Sequence, residues 1–485
     1  MKNNLESVGW SALALSASKT INLMLSVITS MFLSRYLTLV EYGTYSELQT
    51  ITSLVVSVFA LGLPSSINYF LASCKLDYKR KFLSFYYSMI TIISICVAIL
   101  MFFSKTLIAQ YYNNPTLTLY SFFLVVIPWT KITISSRSNM LIVDTKLRKE
   151  LIYSIANSAL LFLITLFVVM SKTSMYVYLW LYVVVEVVFS ILSYTEACYS
   201  AEKTINVDFD KSLLKSVIFF SVPLGLSTAI STLSLDLDKL IIGYFMNEES
   251  VAIYANAGKE LPFSLISTSF SALVLPKVVK NIKEGNKELS IDLWKNSSEL
   301  CFIIFCFFAC ASIVFAPQII TFLYSDTYLS GTRIFRIYSL ILLLRITYWG
   351  MILNAYGKTK QILYNSLICL GVNLILSIIL YFFIGFEGPA LASLISIAIM
   401  SIAQVFSSSR LIKMPVRRIF PWANMLKEFT VCVLTAIIFQ FVLRLIGMTT
   451  TLKGIVSAII IGIVWALVYF FVMSKRIKQI WKQIY

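Results

Sequence analysis

The sequence contains no histidine, and charged residues make up only 13% of its 485 positions. Without histidine, the chain can form neither a histidine-ligated metal site nor a Ser-His or Cys-His catalytic group, and it has no histidine proton relay. Soluble domains usually contain about 25% charged residues, so a chain this poor in charge could not cover its own surface with polar groups in water. The two shortages exclude an ordinary cytosolic enzyme, a disordered chain and a secreted domain.

The eight cysteines carry no sign of metal or disulfide chemistry. None are spaced as C-x-x-C, and most lie in apolar stretches, which is typical of reduced cysteines that pack in a core. The tripeptide Gly357-Lys358-Thr359 resembles the end of a nucleotide-binding P-loop, but Ile352 stands where that motif requires its first glycine. We therefore expect no metal, no cofactor and no ATP hydrolysis, and we do not expect an enzyme.

Apolar residues are what the sequence has in abundance, at 59% of the chain. A transmembrane helix needs about 20 of them, and the apolar runs do not alternate as β-barrel strands do. No small-residue cleavage site follows the first run, so we expect the first helix to be retained. We predict an all-α polytopic membrane protein with about 14 transmembrane helices. The runs lie near residues 8–33, 44–70, 82–104, 116–136, 150–171, 174–197, 213–246, 251–276, 296–324, 333–355, 361–385, 388–409, 428–447 and 454–474.

Basic residues are distributed unequally between alternate loops. If the N-terminus is cytoplasmic, the inside loops hold 28 Lys and Arg residues and the outside loops hold 6. This positive-inside bias predicts that both termini face the cytoplasm. The net charge of +17 then reflects topology and contact with anionic lipid head groups. Nucleic-acid binding explains it less well, because the charge lies in short scattered loops.

The two halves of the chain share spaced residues that indicate an internal repeat. The offsets between matched residues are 209, 212 and 211. Each half has six spans that begin and end on the same side, so the repeat is parallel, as in transporters that use alternating access. We predict one six-helix bundle at 1–205, a second at 206–414, and two further helices with a basic cytoplasmic tail at 415–485. The matched pairs are Tyr45 with Tyr254, Pro64 with Pro276, and Tyr153 with Tyr364.

Polar side chains follow one face of the first span and one face of the seventh. At about 100° per residue, each set falls within a narrow arc of its helix. Because these spans begin the two halves, we expect both stripes to line one aqueous cleft; the alternative is serine-mediated packing between helices. The first stripe contains Ser16, Lys19, Ser26 and Ser30, and the second contains Ser227, Ser231, Ser234 and Asp238.

Charged residues inside apolar spans are site candidates, since a charge at the bilayer centre costs about 2.5–3.5 kcal/mol on insertion scales. Asp236 and Lys239 are three residues apart and can pair on one helix face. With Asp238 they could couple transport to an ion, or they could only neutralise each other. Glu186 lies deep in the sixth span, where proton coupling and hydrogen-bonded packing are both open. Lys131 is expected to snorkel or to pair locally.

The tenth span carries two arginines, with Tyr348 and a tryptophan next to the second. A guanidinium group offers a planar fork that matches phosphate oxygens, and an aromatic ring can stack on a sugar. We predict a central cationic cleft for an anionic head group, although the first arginine could instead snorkel outward. The predicted members of this cleft are Lys19, Lys239, Arg336, Arg345 and Trp349.

Four stretches have a characteristic order and spacing. They are SRYL and EYGTY at 34–45 with GLP at 62–64, LDKLIIG and VAIYANA at 237–257, NAYGKTK at 354–360, and GFEGPA at 385–390. Together they resemble the polysaccharide repeat-unit flippases (Wzx-like) of the multidrug/oligosaccharidyl-lipid/polysaccharide (MOP) exporter superfamily. The resemblance covers most of the chain and implies two pseudo-symmetric bundles around a cationic cavity. It also implies translocation of an undecaprenyl-diphosphate-linked glycan across a bacterial cytoplasmic membrane, with a polysaccharide polymerase and co-polymerase as possible partners.

Other functions stay open at this point. A cation-coupled multidrug exporter of the same superfamily would use Asp238 and Glu186 and would need an acidic or apolar cavity. A flippase for the peptidoglycan precursor would share the diphosphate and the basic cleft. A membrane-bound glycosyltransferase or polymerase is disfavoured, because outside loops of about 5–15 residues are too short to build a separate active site.

Overall fold

The computed structural model describes residues 2–72, 75–202, 210–259, 263–446 and 450–484, and these ranges form helices and no strand. Eight helical segments among them are long and apolar enough to cross a membrane, and one bent pair of helices makes a ninth. One of the eight segments, at 359–412, contains two helices joined by a short 3-10 turn. The all-α polytopic membrane fold predicted from the sequence is thereby confirmed.

The helices divide into two compact units, Met1–Ala252 and Ile253–Tyr485. Those before the boundary are α1 Lys2–Tyr36, α2 Leu39–Phe59, α3 Leu63–Phe70, α4 Leu76–Tyr111, α5 Thr116–Leu119, α6 Ser121–Val143, α7 Leu147–Ser171, α8 Met175–Ala201 and α9 Lys211–Phe245, and the boundary itself falls within α10 Glu248–Ala257. Those after it are α11 Ser264–Lys283, α12 Lys287–Val314, α13 Ala316–Leu323, α14 Thr332–Ile341, α15 Met351–Ala355, α16 Thr359–Ile384, α17 Gly388–Ile412, α18 Val416–Ile419, α19 Trp422–Ile446 and α20 Leu452–Ile484.

Each of the fourteen apolar runs coincides with one helix or with a pair of consecutive helices. The second run bends by 42° between α2 and α3, where Gly62 adopts a left-handed φ of 69° and a proline begins the next helix. The prediction of one continuous helix over 333–355 is wrong. Helix α14 and a short 3-10 turn end at Leu344, and helical structure resumes only at Met351.

Local caps explain where several helices begin. Thr38 and Glu41 form a reciprocal capping box at the start of α2. Asp210 caps α9 by accepting from the amides of Ser212 and Leu213, at 2.8 and 3.1 Å. The Lys81 ammonium, 2.6 Å away, and then these amides hold the pKa of Asp210 below its usual value. The start of α9 is thus tied to α4 by charge.

In the first unit, α6 packs against α4 and α8, α1 packs on α7, and α9 runs along α2 and α3. Two backbone approaches are very close, one between α2 and the first residue of α10 and one between α9 and the bend that follows α2. A Cβ atom added at Gly43 would lie 2.0 Å from the carbonyl oxygen of Glu248, and one at Gly225 would lie 2.3 Å from the carbonyl carbon of Leu61. Packing therefore groups α9 with the first six spans. The boundaries 1–205, 206–414 and 415–485 follow the sequence repeat and remain a prediction.

Helix α12 forms the centre of the second unit. It contacts α11, α19 and α20, and its apolar stretch is far more buried than those of the other membrane-length helices. Trp294, Trp465 and Tyr469 are fully buried in this core. The Tyr469 hydroxyl also donates to the carbonyl of Ile303, at 3.0 Å. The last two long helices are thus integral to the packing of this unit.

Candidate functional site

The polar stripe of α1 carries an exposed cation. Lys19 is exposed, and it makes no ion pair or hydrogen bond with any residue that the structure describes. Its helix is held to α7 by Asn22, which donates to Ser154 at 2.6 Å. Ser26 is also exposed, and Ser30 donates to the Ser26 carbonyl at 3.0 Å. The side chain of Ser16 lies outside the described set.

The stripe on α9 is exposed over one part and buried over the other. Ser227 and Ser231 are exposed, whereas Asp238 is only 2% exposed. Ser231 and Ser234 donate to carbonyls one turn earlier, at 3.0 and 2.8 Å, which satisfies their hydroxyls within the helix. At Ser227 and Ser231 the structure is compatible with both predictions, an aqueous cleft and serine-mediated packing between helices. Asp238, in contrast, is buried.

The predicted pair between Asp236 and Lys239 is formed. The Lys239 Nζ to Asp236 Oδ1 distance is 2.7 Å, and Ser53 on α2 donates to the other carboxylate oxygen at 3.1 Å. Asp236 is 7% exposed. The Lys239 charge is therefore balanced within its own helix, and the pair also ties α9 to α2.

Glu186 has a cationic partner on a neighbouring helix. Its carboxylate is fully buried and accepts from Lys131 Nζ at 2.8 Å. The same ammonium donates to the Tyr182 hydroxyl at 3.1 Å. Ser190, one turn further along α8, hydrogen-bonds Thr133 on α6. Glu186 is thus the centre of an α6–α8 contact. Lys131, which was expected to snorkel or to pair locally, pairs with a residue 55 positions away on another helix.

The arginines of the tenth span lie on either side of the break in its helix. Arg336, on α14, is exposed and donates from Nε to the Ile313 carbonyl at 3.2 Å. Arg345 is half-buried and begins the non-helical segment. Trp349 is only 9% exposed, and its ring centroid lies 5.0 Å from that of Phe420. In this state the Trp349 ring is packed in the core and does not offer an open face to a sugar.

Within the first unit, the structure brings together Asp236, Lys239 and the neighbouring Asp238, while Lys19 and Glu186 lie on helices of their own, α1 and α8. Within the second, Arg345 and Trp349 share the break, and Arg336 belongs to the preceding helix. Among the residues described, no group of three or more His, Cys, Asp or Glu side chains could hold a metal ion. The predicted site residues in the described ranges offer exposed or half-buried cations, carboxylates paired with lysines, and hydrogen bonds.

Sequence analysis missed a buried acid in the second span. Glu47 is 1% exposed, and its Oε2 accepts from Asn114 at 2.8 Å. Asn114 is fully buried and donates to Thr44 Oγ1 as well, at 3.0 Å. The signal was present, because position 47 is a carboxylate inside the run 44–70. The Asn114 partner could not be found from spacing, since it lies 67 residues away.

A second missed cluster joins α12, α19 and α20. Arg476 contacts Glu299 through Nη2 and, at 2.7 Å, through Nε. Glu428 lies 3.8 Å from the same Nε, and Asn424 donates to Glu299 Oε2 at 3.4 Å. The side chains of Glu299 and Glu428 are 1% and 5% exposed. Arg476 was counted as a loop cation, which concealed its role in packing.

A cavity of about 620 Å³ opens beside the ends of α4, α6 and α8. Its lining includes Lys79 and Lys146, which face Asp144 at 2.5 and 3.6 Å. Ser200 also donates to Asp144, at 2.5 Å. The Asp144 carboxylate thus pairs with both lysines and accepts a hydrogen bond from the serine. The cavity wall therefore lacks the concentrated positive charge of an anion site, and these contacts serve to join the helices.

Comparison with known proteins identifies a family that this sequence matches. Residues 32–332 match the family described as "Polysaccharide biosynthesis protein". No curated protein sequence matches the chain. Among solved structures, the fold is similar to "Lipid II flippase MurJ, inward closed conformation", with a TM-score of 0.72 and 20% identity over 95% of this chain and 99% of that one.

The fold also resembles that of other solved transporters, at lower similarity. An outward-facing multidrug resistance MATE family transporter of the MOP superfamily gives a TM-score of 0.52 and 14% identity over 83% of this chain and 95% of that one. A MOP superfamily transporter from Pyrococcus furiosus gives 0.53 and 12% over the same shares. These neighbours are transporters and flippases and not enzymes. Because the family match spans more than half of the sequence, the chain belongs to the polysaccharide biosynthesis protein family.

Proposed function

We propose that this protein is a flippase for undecaprenyl-diphosphate-linked oligosaccharide repeat units, used in the assembly of a surface polysaccharide such as capsule or O-antigen. The observation that carries the proposal is membership of the polysaccharide biosynthesis protein family, together with a fold similar to that of a lipid-linked substrate flippase. The substrate's head group cannot cross about 30 Å of hydrocarbon unaided. Alternating access between two bundles would carry it across while its polyprenyl chain stays in the bilayer.

The exposed cation on α1 supports an anionic substrate. Lys131 and Lys239 are both paired with carboxylates inside the first unit, whereas Lys19 has no partner among the described residues. An unpaired ammonium within an apolar span is costly, and a diphosphate would offset that cost. We infer that Lys19 and Arg345 contribute to the cationic cleft, and that Arg336, Lys239 and Trp349 have secondary parts in it.

Two alternatives each have an observation in their favour. Export of a peptidoglycan precursor is favoured by the TM-score of 0.72 with a protein named lipid II flippase. Cation-coupled drug export is favoured by the weaker similarity to MATE transporters, with Asp236, Asp238 and Glu186 as coupling groups. The second alternative is harder to reconcile with an exposed Lys19. Ion coupling through these acids remains part of the proposal for the flippase as well.

The orientation of the protein, its membrane and its partners follow from the same proposal. Both termini would face the cytoplasm, because the loops on that side carry most of the Lys and Arg residues. The membrane would be the bacterial cytoplasmic membrane, where polyprenyl-diphosphate glycans are built. A polymerase and co-polymerase would take over the flipped unit on the far side.

Depletion of the protein tests the proposal. Lipid-linked glycans are extracted from each membrane face, and surface polymer is measured in parallel. We expect a completed repeat unit to accumulate on the cytoplasmic face, with loss of polymer. A lipid-linked peptidoglycan precursor accumulating there instead would favour the first alternative, and drug sensitivity without any accumulation would favour the second. Lys19→Ala should fail to restore transport, while Lys358→Ala, at an exposed loop lysine, should restore it fully.

A further inference from the structure

The break between α14 and α15 interrupts the backbone hydrogen bonds of the tenth span among the described residues. The amides of Ile346, Thr347, Tyr348, Trp349 and Gly350 find no backbone acceptor among the described residues, whereas those of the flanking positions 345 and 351 do. Buried amides are almost always paired. Three of these five residues, Ile346, Trp349 and Gly350, are buried, so the missing backbone hydrogen bonds call for a physical explanation.

Side-chain hydrogen bonds and aromatic contacts hold the break in a defined conformation. The Trp349 indole N–H donates to the Leu344 carbonyl across the gap, at 2.6 Å. From α12, the Trp294 indole N–H donates to Thr347 Oγ1 at 2.9 Å. The rings of both tryptophans also pack on Phe420, at 5.0 and 5.3 Å between centroids. Two indole donors and an aromatic cluster thus hold this segment away from the helical conformation.

Irregular backbone at membrane depth is tolerated where it is buried in protein or lines a cavity. In this segment Ile346, Trp349 and Gly350 are buried, while Arg345, Thr347 and Tyr348 are only partly buried. The partly buried positions combine a guanidinium group with two amides that have no backbone acceptor among the described residues. Successive backbone N–H groups in a turn form a recurring type of anion site, and an arginine side chain offers a fork that fits phosphate oxygens.

We propose that residues 345–350 form a phosphate cradle, in which the Arg345 side chain and the amides of Thr347 and Tyr348 bind the diphosphate of the lipid-linked substrate. This inference rests on the proposed function and adds to it a backbone component that no side-chain substitution scan would detect. The two indole hydrogen bonds and the packing on Phe420 hold the backbone donors in position before the ligand arrives. This ordering lowers the free energy that binding must spend on it and so gives a reason for the break in the helix.

Amide-to-ester substitution tests the cradle directly. The α-hydroxy analogue of threonine or tyrosine, placed at 347 or 348 by nonsense suppression, removes one N–H and keeps the side chain. A hydrogen bond to a charged group contributes about 1.5–3 kcal/mol, so each ester should weaken farnesyl diphosphate binding to the purified protein by about tenfold or more. The tyrosine analogue at Tyr364, within the regular helix α16, is the matched control and should change binding less than about twofold.

Hydrogen exchange provides a measurement that does not depend on the folding of a variant. Farnesyl diphosphate should slow exchange of the 346–350 amides in the wild-type protein. Unchanged exchange there while the ligand binds, or esters that bind as tightly as wild type, would overturn the cradle and leave the flippase proposal to the depletion experiment. Absence of diphosphate binding by the wild type would also overturn the cradle. Equal protection by phosphatidic acid in nanodiscs would mean that bulk lipid, and not the substrate, is the ligand.

Discussion

Replacing Arg476 by methionine should destabilise the second unit strongly. Methionine keeps much of the side chain's length and removes the guanidinium group that lies between Glu299 and Glu428. The first carboxylate would keep only the long 3.4 Å contact from Asn424. The second already has no hydrogen-bond partner for either oxygen among the described residues. The substitution would thus leave two buried acids with no compensating cation.

The magnitude follows from the burial of these acids. Removing one member of a buried ion pair usually costs about 3–5 kcal/mol, because the charge left behind is uncompensated. For a unit of roughly this size, each kcal/mol corresponds to about 2–4 °C in Tm. We therefore expect Arg476→Met to lower the Tm by about 6–20 °C.

The assay is thermal unfolding of purified protein in one detergent at one scan rate, since the unfolding of membrane proteins is seldom reversible. The matched control is Arg333→Met. Its salt bridge to Glu387 spans 3.4 Å, but the Arg333 side chain is 80% exposed, so its loss should cost at most about 1 kcal/mol. Combining Arg476→Met with Glu299→Gln and Glu428→Gln should recover most of the loss. Equal Tm values for the two arginine variants would refute the reasoning, as would a triple variant no more stable than Arg476→Met.

Three further substitutions test the packing and the stripes. Gly43→Ala should lower both stability and transport, since its Cβ would meet the Glu248 backbone at 2.0 Å; Gly371→Ala, with open space around it, should be neutral or stabilising in the same thermal assay. Asn114→Ala should cost about 1–3 kcal/mol in the free energy of unfolding, because it removes the donor to a buried carboxylate; a Tm within error of wild type would contradict this. Ser227→Leu should impair transport at normal protein level if the α9 stripe faces an aqueous cleft, and wild-type transport would instead place that residue against lipid.

The helical architecture could be predicted from the sequence because it depends on a local property. A segment of about 20 apolar residues has few options in a bilayer other than a helix, and each of the fourteen runs does contain helix. The ends were less well predicted. Helix α4, for example, extends from Leu76 to Tyr111, beyond the run at 82–104, because its terminal turns contain polar residues that apolarity alone does not capture.

The break at 345–350 shows where apolarity is insufficient. Hydropathy treats Ile346, Tyr348 and Trp349 as suitable for a membrane helix, but β-branched and aromatic residues followed by glycine form helices poorly. The run Ile-Thr-Tyr-Trp-Gly was therefore a usable signal. The bracing by Trp294 was not, because that contact spans 53 residues of sequence.

Some charged residues inside the helices were identified from the sequence, but Glu47 and Arg476 were not, and the partners were only partly foreseen. Asp236 and Lys239 could be paired from spacing alone, since they share one helix face. Lys131 and Glu186 lie 55 residues apart, and nothing in the spacing of α6 and α8 residues specifies that they meet. Partners on the same helix are encoded in periodicity, whereas partners on different helices depend on how the bundle packs.

Whether a charge within the bilayer has a partner in the fold helps to identify the charges that bind a transported substrate. A paired charge within the bilayer, such as Lys131 or Lys239, already lowers its own cost of burial and ties two elements together, so packing alone accounts for its presence. Packing does not explain Lys19 in this way, because its side chain is exposed and Asn22 is the residue that holds its helix to α7. A cation that has no partner among the described residues and still costs free energy in the membrane is best explained by a ligand. Lys19 should therefore be the substitution that separates transport from stability: Lys19→Ala should leave Tm unchanged and abolish polymer export, whereas Lys131→Ala should lower the Tm as well.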